Sequence, residues 1–242
     1  MRVNLQATNR KKGGEQWLLG LVDNSLTVKR RAEPGVISSI VECYSSVPGG
    51  GYTRTPGAAE LRQVVYAEVA CGIKGVYVRR PQEYPQDYAV PLPEAAQTGF
   101  VNRANALVAE LETLLPYLSV SEPVNLVARC SSSEAVAKTL LCGDRGVLLV
   151  VLRTDMPGRG PAEPIEVVLD VPDWLALTDF IEIGGRHAKG PVTESQEGVR
   201  LGIPKLGAVG VYLLPAAKRG DADDERGQPS FGKKSVSPAP PS

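Results

Sequence analysis

Apolar residues recur at helical spacing in two stretches of this chain and at strand spacing in many others, and the two patterns occupy separate regions. Leu61, Val65 and Val69 stand four residues apart with Val64 beside them, so they predict a helix with an apolar stripe fit to lie on a sheet. Its ends are marked. Thr55 offers a hydroxyl for the N-cap, Pro56 suits a first turn where its missing N–H costs nothing, and Gly72 suits the left-handed residue that closes a helix. Ile73 to Val78 follows almost without a loop, β-branched and aromatic, and predicts a short buried strand. Val36 to Tyr44 predicts another strand before the helix. Strand, helix, strand in that order predicts a right-handed parallel crossover.

After a proline-rich loop from Arg79 to Pro93, a second helix is expected from Glu94 to Tyr117, ending near Pro116. Phe100, Ala104, Leu107, Leu111, Leu114 and Leu118 form its packing stripe, and Arg103, Glu110 and Glu112 its other face. From Pro123 the period changes to that of strands. Val124 to Cys130, Ala135 to Leu141, Gly146 to Arg153, Pro164 to Asp170, Asp179 to Ile183, Gly198 to Ile203 and Ala208 to Leu214 suit a two-sheet sandwich. Val147 to Leu152 is apolar throughout and reads as its central strand, and Val192 to Leu201 reads as a hairpin near an edge. Ala216 to Ser242 has too little apolar area to offset its chain entropy and reads as a disordered tail.

The expected fold class is therefore α/β plus all-β, in four parts: an α/β segment over residues 1–93, a connecting amphipathic helix over 94–120, a β-sandwich over 121–215 and a tail over 216–242. Composition adds exclusions. Lys plus Arg and Asp plus Glu number 27 each, so net charge gives no support to a nucleic-acid partner. No apolar run reaches the roughly 20 residues that a membrane span needs, so no membrane partner is expected. Met1 to Lys12 lacks the apolar core of a signal peptide, although this leaves the compartment undecided. Four cysteines without a C-x-x-C pair and a single histidine support neither a metal site nor a metal cofactor. Cys43, Cys71, Cys130 and Cys142 read as reduced thiols.

Thr55-Pro56, Glu60-Leu61-Arg62, Tyr66-Ala67 and Ala70 to Tyr77 together resemble the last helix and strand of the catalytic barrel in (β/α)8 glycoside hydrolases. The helix and sandwich that follow resemble the region after the barrel in the same proteins. The resemblance implies carbohydrate processing, a carbohydrate substrate or ligand, no cofactor, and a sandwich of structural role. A closed barrel takes eight strands and about 250 residues, whereas the first 80 residues here supply two clear strands and one helix. The expectation is a partial barrel: either the C-terminal portion of a longer protein whose N-terminal barrel segment lies elsewhere, or a shortened descendant. The competing reading is a complete small α/β domain to which Trp17 to Val22 and Leu26 to Val28 add strands.

Retaining hydrolysis uses two carboxyl groups about 5 to 5.5 Å apart. By the resemblance, Glu42 would end the seventh barrel strand, where the nucleophile commonly sits, and it is the candidate nucleophile; a plain strand-end role is the alternative. The partner acid would come from a fourth strand that the chain does not supply, so the chain alone is expected to be inactive. Tyr44 and Tyr52 flank Gly49 to Gly51, and Tyr77 and Arg79 end the next strand, so these four are the candidate sugar-binding residues. Trp174 reads as sandwich core and His187 as an exposed hairpin residue. A noncatalytic carbohydrate- or protein-binding protein is the second hypothesis.

Overall fold

The computed structural model describes residues 2–3, 26–27, 30–31, 38–41, 45–46, 52–78, 92–123, 128–154, 164–172, 174–184 and 189–217, with backbone alone at 2–3, 38–41, 45–46 and 52–54. These residues form a mixed α/β structure rich in antiparallel sheet. Its first unit is a parallel three-stranded sheet in the order β1 (Arg2–Val3), β2 (Ser38–Val41), β5 (Gly75–Val78). A small antiparallel pair, β3 (Ser45–Ser46) and β4 (Tyr52–Arg54), follows β2. Helix α1 (Ala58–Ala70) then carries the chain across to β5, as the crossover pattern predicts. Leu26 and Thr27 are helical, not the strand residues that the competing reading required. Trp17 to Val22 lies outside the described residues.

The start of α1 differs from expectation. Gly57 is the N-cap, and its N–H donates to Glu60 Oε2 at 2.7 Å. Thr55 is diverted: its hydroxyl accepts a hydrogen bond from Arg103 Nη2 at 2.9 Å, while Arg103 Nε donates to Pro56 O at 3.1 Å. A tertiary partner has outbid the local cap. The other end keeps its prediction, with Gly72 at φ 80° and the amides of Gly72 and Ile73 returning to Val69 O and Glu68 O.

Helix α2 (Glu94–Leu118) continues two residues beyond Pro116 and is capped at Ser119. Its predicted stripe is buried at Phe100, Leu107 and Leu114. Antiparallel strands follow: β6 (Glu122–Pro123), β7 (Ala128–Cys130), β8 (Ala135–Leu141), β9 (Gly146–Arg153), β10 (Ile165–Leu169), β11 (Asp179–Glu182), β12 (Lys189–Pro191), β13 (Thr193–Ser195), β14 (Gly198–Ile203) and β15 (Val209–Pro215). They make a six-stranded sheet, β12-β11-β15-β9-β8-β6, and a four-stranded one, β13-β14-β10-β7. The hairpin expected within Val192 to Leu201 is β13–β14, with β13 at the sheet edge.

The six-stranded sheet is apolar on both faces. Leu148, Val150 and Leu152 of β9, with Val211 and Leu213 of β15, belong to one core shared with α1 and α2. Val147, Leu149 and Val151, with Leu214, belong to a second core shared with Val167 and Leu169 of β10 and Leu201 of β14. Successive residues of a strand point to opposite faces, so a strand buried on both sides must be apolar along its length, as β9 is from Val147 to Leu152. Cys142 joins the first core and Cys130 packs against the second, so the two thiols sit on opposite sides of the sheet. Trp174 corrects its expectation: it is 56% exposed, because the turn from Pro172 to Leu175 turns it away from the core.

Candidate functional site

Of the residues proposed from sequence, Glu42, Tyr44 and Arg79 lie outside the described residues, as do Gly49 to Gly51 and His187. Tyr52 begins β4, where only the backbone is described. Tyr77 sits on β5 opposite Ile40 of β2, and the residue is 52% exposed. Its neighbours Val76 and Val78 pack against the helix-side core, so the strand's alternation turns Tyr77 to the other face of the parallel sheet. This is an accessible aromatic side chain with a polar tip, the chemistry that a sugar ring suits.

Among the described residues, the most closely knit polar cluster lies elsewhere, where α1, α2 and the six-stranded sheet meet. Arg62 and Tyr66 are one turn apart on α1 and reach the same carboxylate, Glu110 of α2. Arg62 Nε donates to Glu110 Oε1 at 3.0 Å and to Oε2 at 3.1 Å, and its Nη2 donates to Oε1 at 2.7 Å. Tyr66 Oη donates to the same Oε1 at 2.7 Å. The guanidinium also caps the sheet: Nη1 donates to Val209 O at 2.7 Å and Nη2 to Ile183 O at 2.8 Å. Its carbon lies 5.1 Å from the centre of the Tyr66 ring. Gly184 completes the enclosure, since at φ +68° any Cβ there would collide with the Glu110 carboxylate.

Such a group of acid, phenol and guanidinium could suggest acid–base chemistry, but its electrostatics argue otherwise. Burial pushes the Tyr66 phenol well above its ordinary range, and the hydrogen bond to Glu110 pushes it further, so it holds its proton. The carboxylate already accepts from three donor atoms, and the side chains of Arg62 and Glu110 are only 20% and 15% exposed. The cluster is a clamp joining three elements. Gln63 adds a neighbouring tie, donating through Nε2 to Arg153 O at 2.8 Å. From sequence, Arg62 figures only in the family resemblance and Glu110 only on the polar face of its helix, whereas a helix with sheet on one side and a second helix on another has little solvent face. The spacing of Arg62 and Tyr66 was the available signal.

A groove of about 590 Å3 opens beside the clamp, between the C-terminal ends of α1 and α2 and the start of β5. Its floor is apolar, and its charged residues are Lys74, Glu112 and Glu122. Among the described residues no three His, Cys, Asp or Glu side chains converge to hold a metal, and no helix is long and apolar enough to cross a membrane.

No protein-family model matches the chain, and no curated protein matches it. Among solved structures it is similar to alpha-L-fucosidase isoenzyme 2 from Paenibacillus thiaminolyticus, at 14% identity and a TM-score of 0.30. That match covers 52% of this chain and 19% of the fucosidase. The likeness is too weak to settle either fold or function.

Proposed function

We propose that this chain is the C-terminal portion of a glycoside-hydrolase-like protein: residues 1–93 the remnant of a (β/α) barrel, 94–120 a connecting helix, and 121–215 an accessory β-sandwich. The observation that carries this reading is the parallel crossover β2–α1–β5, with α1 pressed against the six-stranded sheet and α2 beside it. That is the element order which the residue pattern from Thr55 to Tyr77 implies. Sheets that share one core across two layers support the sandwich part of the reading.

On this reading the ligand is a carbohydrate, met by Tyr77 together with Tyr44, Tyr52 and Arg79, and Glu42 is the residue placed to act as nucleophile. Hydrolysis by the chain alone is not expected, because a two-carboxylate mechanism needs an acid facing that nucleophile. Glu110, the carboxylate of the clamp, is held by Arg62 and Tyr66 and cannot serve. The test is a panel of chromogenic nitrophenyl glycosides incubated with the wild-type chain and with Glu42→Gln. No release above the blank is expected from either; release by the wild type that Glu42→Gln abolishes would show a working nucleophile. A second reading, a noncatalytic protein-binding role, is favoured by the exposure of Val108 and Leu115 along the groove.

A further inference from the structure

The parallel sheet has one face covered by helix and one that its crossovers leave open. β1, β2 and β5 stand side by side in chain order, so each right-handed crossover steps the same way across the sheet and passes over the same face. The packing agrees. Leu26, in the connection from β1 to β2, lies against the core that α1 shares with the six-stranded sheet, as do Val76 and Val78 of β5. Tyr77, between those two valines, belongs to neither apolar core and is 52% exposed.

The strand register places two further residues in its row. Arg2 of β1 pairs with Ile40 of β2, and Ile40 pairs with Tyr77, so the three share the face turned from the helices. Neighbouring strands stand about 4.8 Å apart, which sets the backbones of Arg2 and Tyr77 about 10 Å from each other with Ile40 between. Each of the three is the last residue but one of its strand, so the row crosses the carboxyl ends of three parallel strands. That end of a parallel α/β sheet is where ligands are bound. The row two residues earlier holds Ser38 and Gly75, both small.

An aromatic ring, an apolar residue and a guanidinium in line make two demands on a ligand. The ring suits the C–H face of a sugar, and the guanidinium matches a planar carboxylate with paired, charge-assisted hydrogen bonds roughly twice as strong as those it makes with neutral groups. A hexuronic acid carries both parts, its carboxylate one bond from the ring. With that ring on Tyr77, the carboxylate lies over Ile40, within an arginine's reach. A neutral hexose offers only hydroxyl groups there.

We propose that the open face of the parallel sheet binds an acidic sugar, its ring on Tyr77 and its carboxylate on Arg2. The inference rests on the carbohydrate reading and narrows it to uronic acids; it uses neither Glu42 nor hydrolysis.

The test is saturation-transfer NMR of the full chain titrated with the methyl glycosides of glucuronic, galacturonic and mannuronic acid, each beside its neutral hexose and its methyl ester. At least one acid is expected to bind about tenfold more tightly than both of its uncharged partners. That margin should vanish in Arg2→Gln and shrink when salt rises from about 50 to about 300 mM. Tyr77→Ala should weaken acid and neutral sugar alike, and Tyr77→Phe should leave both as in the wild type. The ester comparison needs no variant, so a folding defect in one leaves the test intact. Sugar binding without a preference for acids, a margin that survives Arg2→Gln, or affinities untouched by Tyr77→Ala would overturn this inference and leave the carbohydrate reading standing. Failure of every sugar in the set to bind would overturn both.

Discussion

Arg62 carries more of the architecture than its place on a short helix suggests. Five donated hydrogen bonds leave it tied to Glu110 on α2 and to two sheet carbonyls, with little water to take over if a partner is removed. Deleting Glu110 would strand a largely buried guanidinium, so Glu110→Ala should cost about 3 kcal/mol in urea denaturation. The pair variant Arg62→Met/Glu110→Leu should cost less than the two single losses added together; strict additivity would mean that the clamp is not one unit. Gly184→Ala tests the same cluster from the sheet side. Its methyl must enter the carboxylate's space from a left-handed backbone, and a loss of about 2 kcal/mol is expected, more than the backbone strain alone would cost. Tyr66 supplies a pH signature. Its phenol is held above the ordinary value near 10, first by burial and then by Glu110, so its contribution is complete below that value. As pH rises beyond it the unfolded chain ionises while the native chain does not, and stability falls by about 1 kcal/mol per pH unit for this group. Tyr66→Phe should flatten that slope between about pH 10 and 11, with a remainder left to Tyr212, which burial and nearby Glu182 also raise. An unchanged slope would show that the Tyr66 phenol is not held in this way.

Whole elements were legible where a single physical rule governed them. Ala135–Leu141, Gly146–Arg153 and Gly198–Ile203 fall where the strand period puts them, and Gly72 ends α1 as an αL glycine should. The reading lost accuracy where tertiary partners overrode local ones. Thr55 lost its capping role to Arg103, and Arg103 and Glu110, expected on an outer helix face, are both engaged with α1 and its entry. Trp174, expected in the sandwich core, lies on a tight turn that faces outward. The unbroken apolar run of β9 does carry a consequence at this scale. Leu148 faces the helices and Leu149 the second sheet, so truncation of either to Ala should cost about 3 kcal/mol. A loss below about 1 kcal/mol at one of them would mean that one face of the sheet is open.

At the scale of the molecule, two antiparallel sheets form the larger body and the parallel crossover is held to it through α1. The strand and helix order of that crossover is readable because apolar stripe, closing glycine and strand follow one another within the stretch from Leu61 to Val78. The site was far less readable. Its candidate residues were drawn from loops and strand ends, where side-chain convergence depends on long-range packing that no local pattern encodes, and of the five only Tyr77 has a described side chain. On the proposed function the chain does not itself supply the acid that a nucleophilic Glu42 would need. An alkyl glycoside has a poor leaving group that must be protonated to depart, so incubation of the wild-type chain and of Glu42→Gln with a series of them, read by mass spectrometry of the sugar released, tests this directly. No free sugar above the blank is the expected result; release by the wild type that Glu42→Gln abolishes would contradict it.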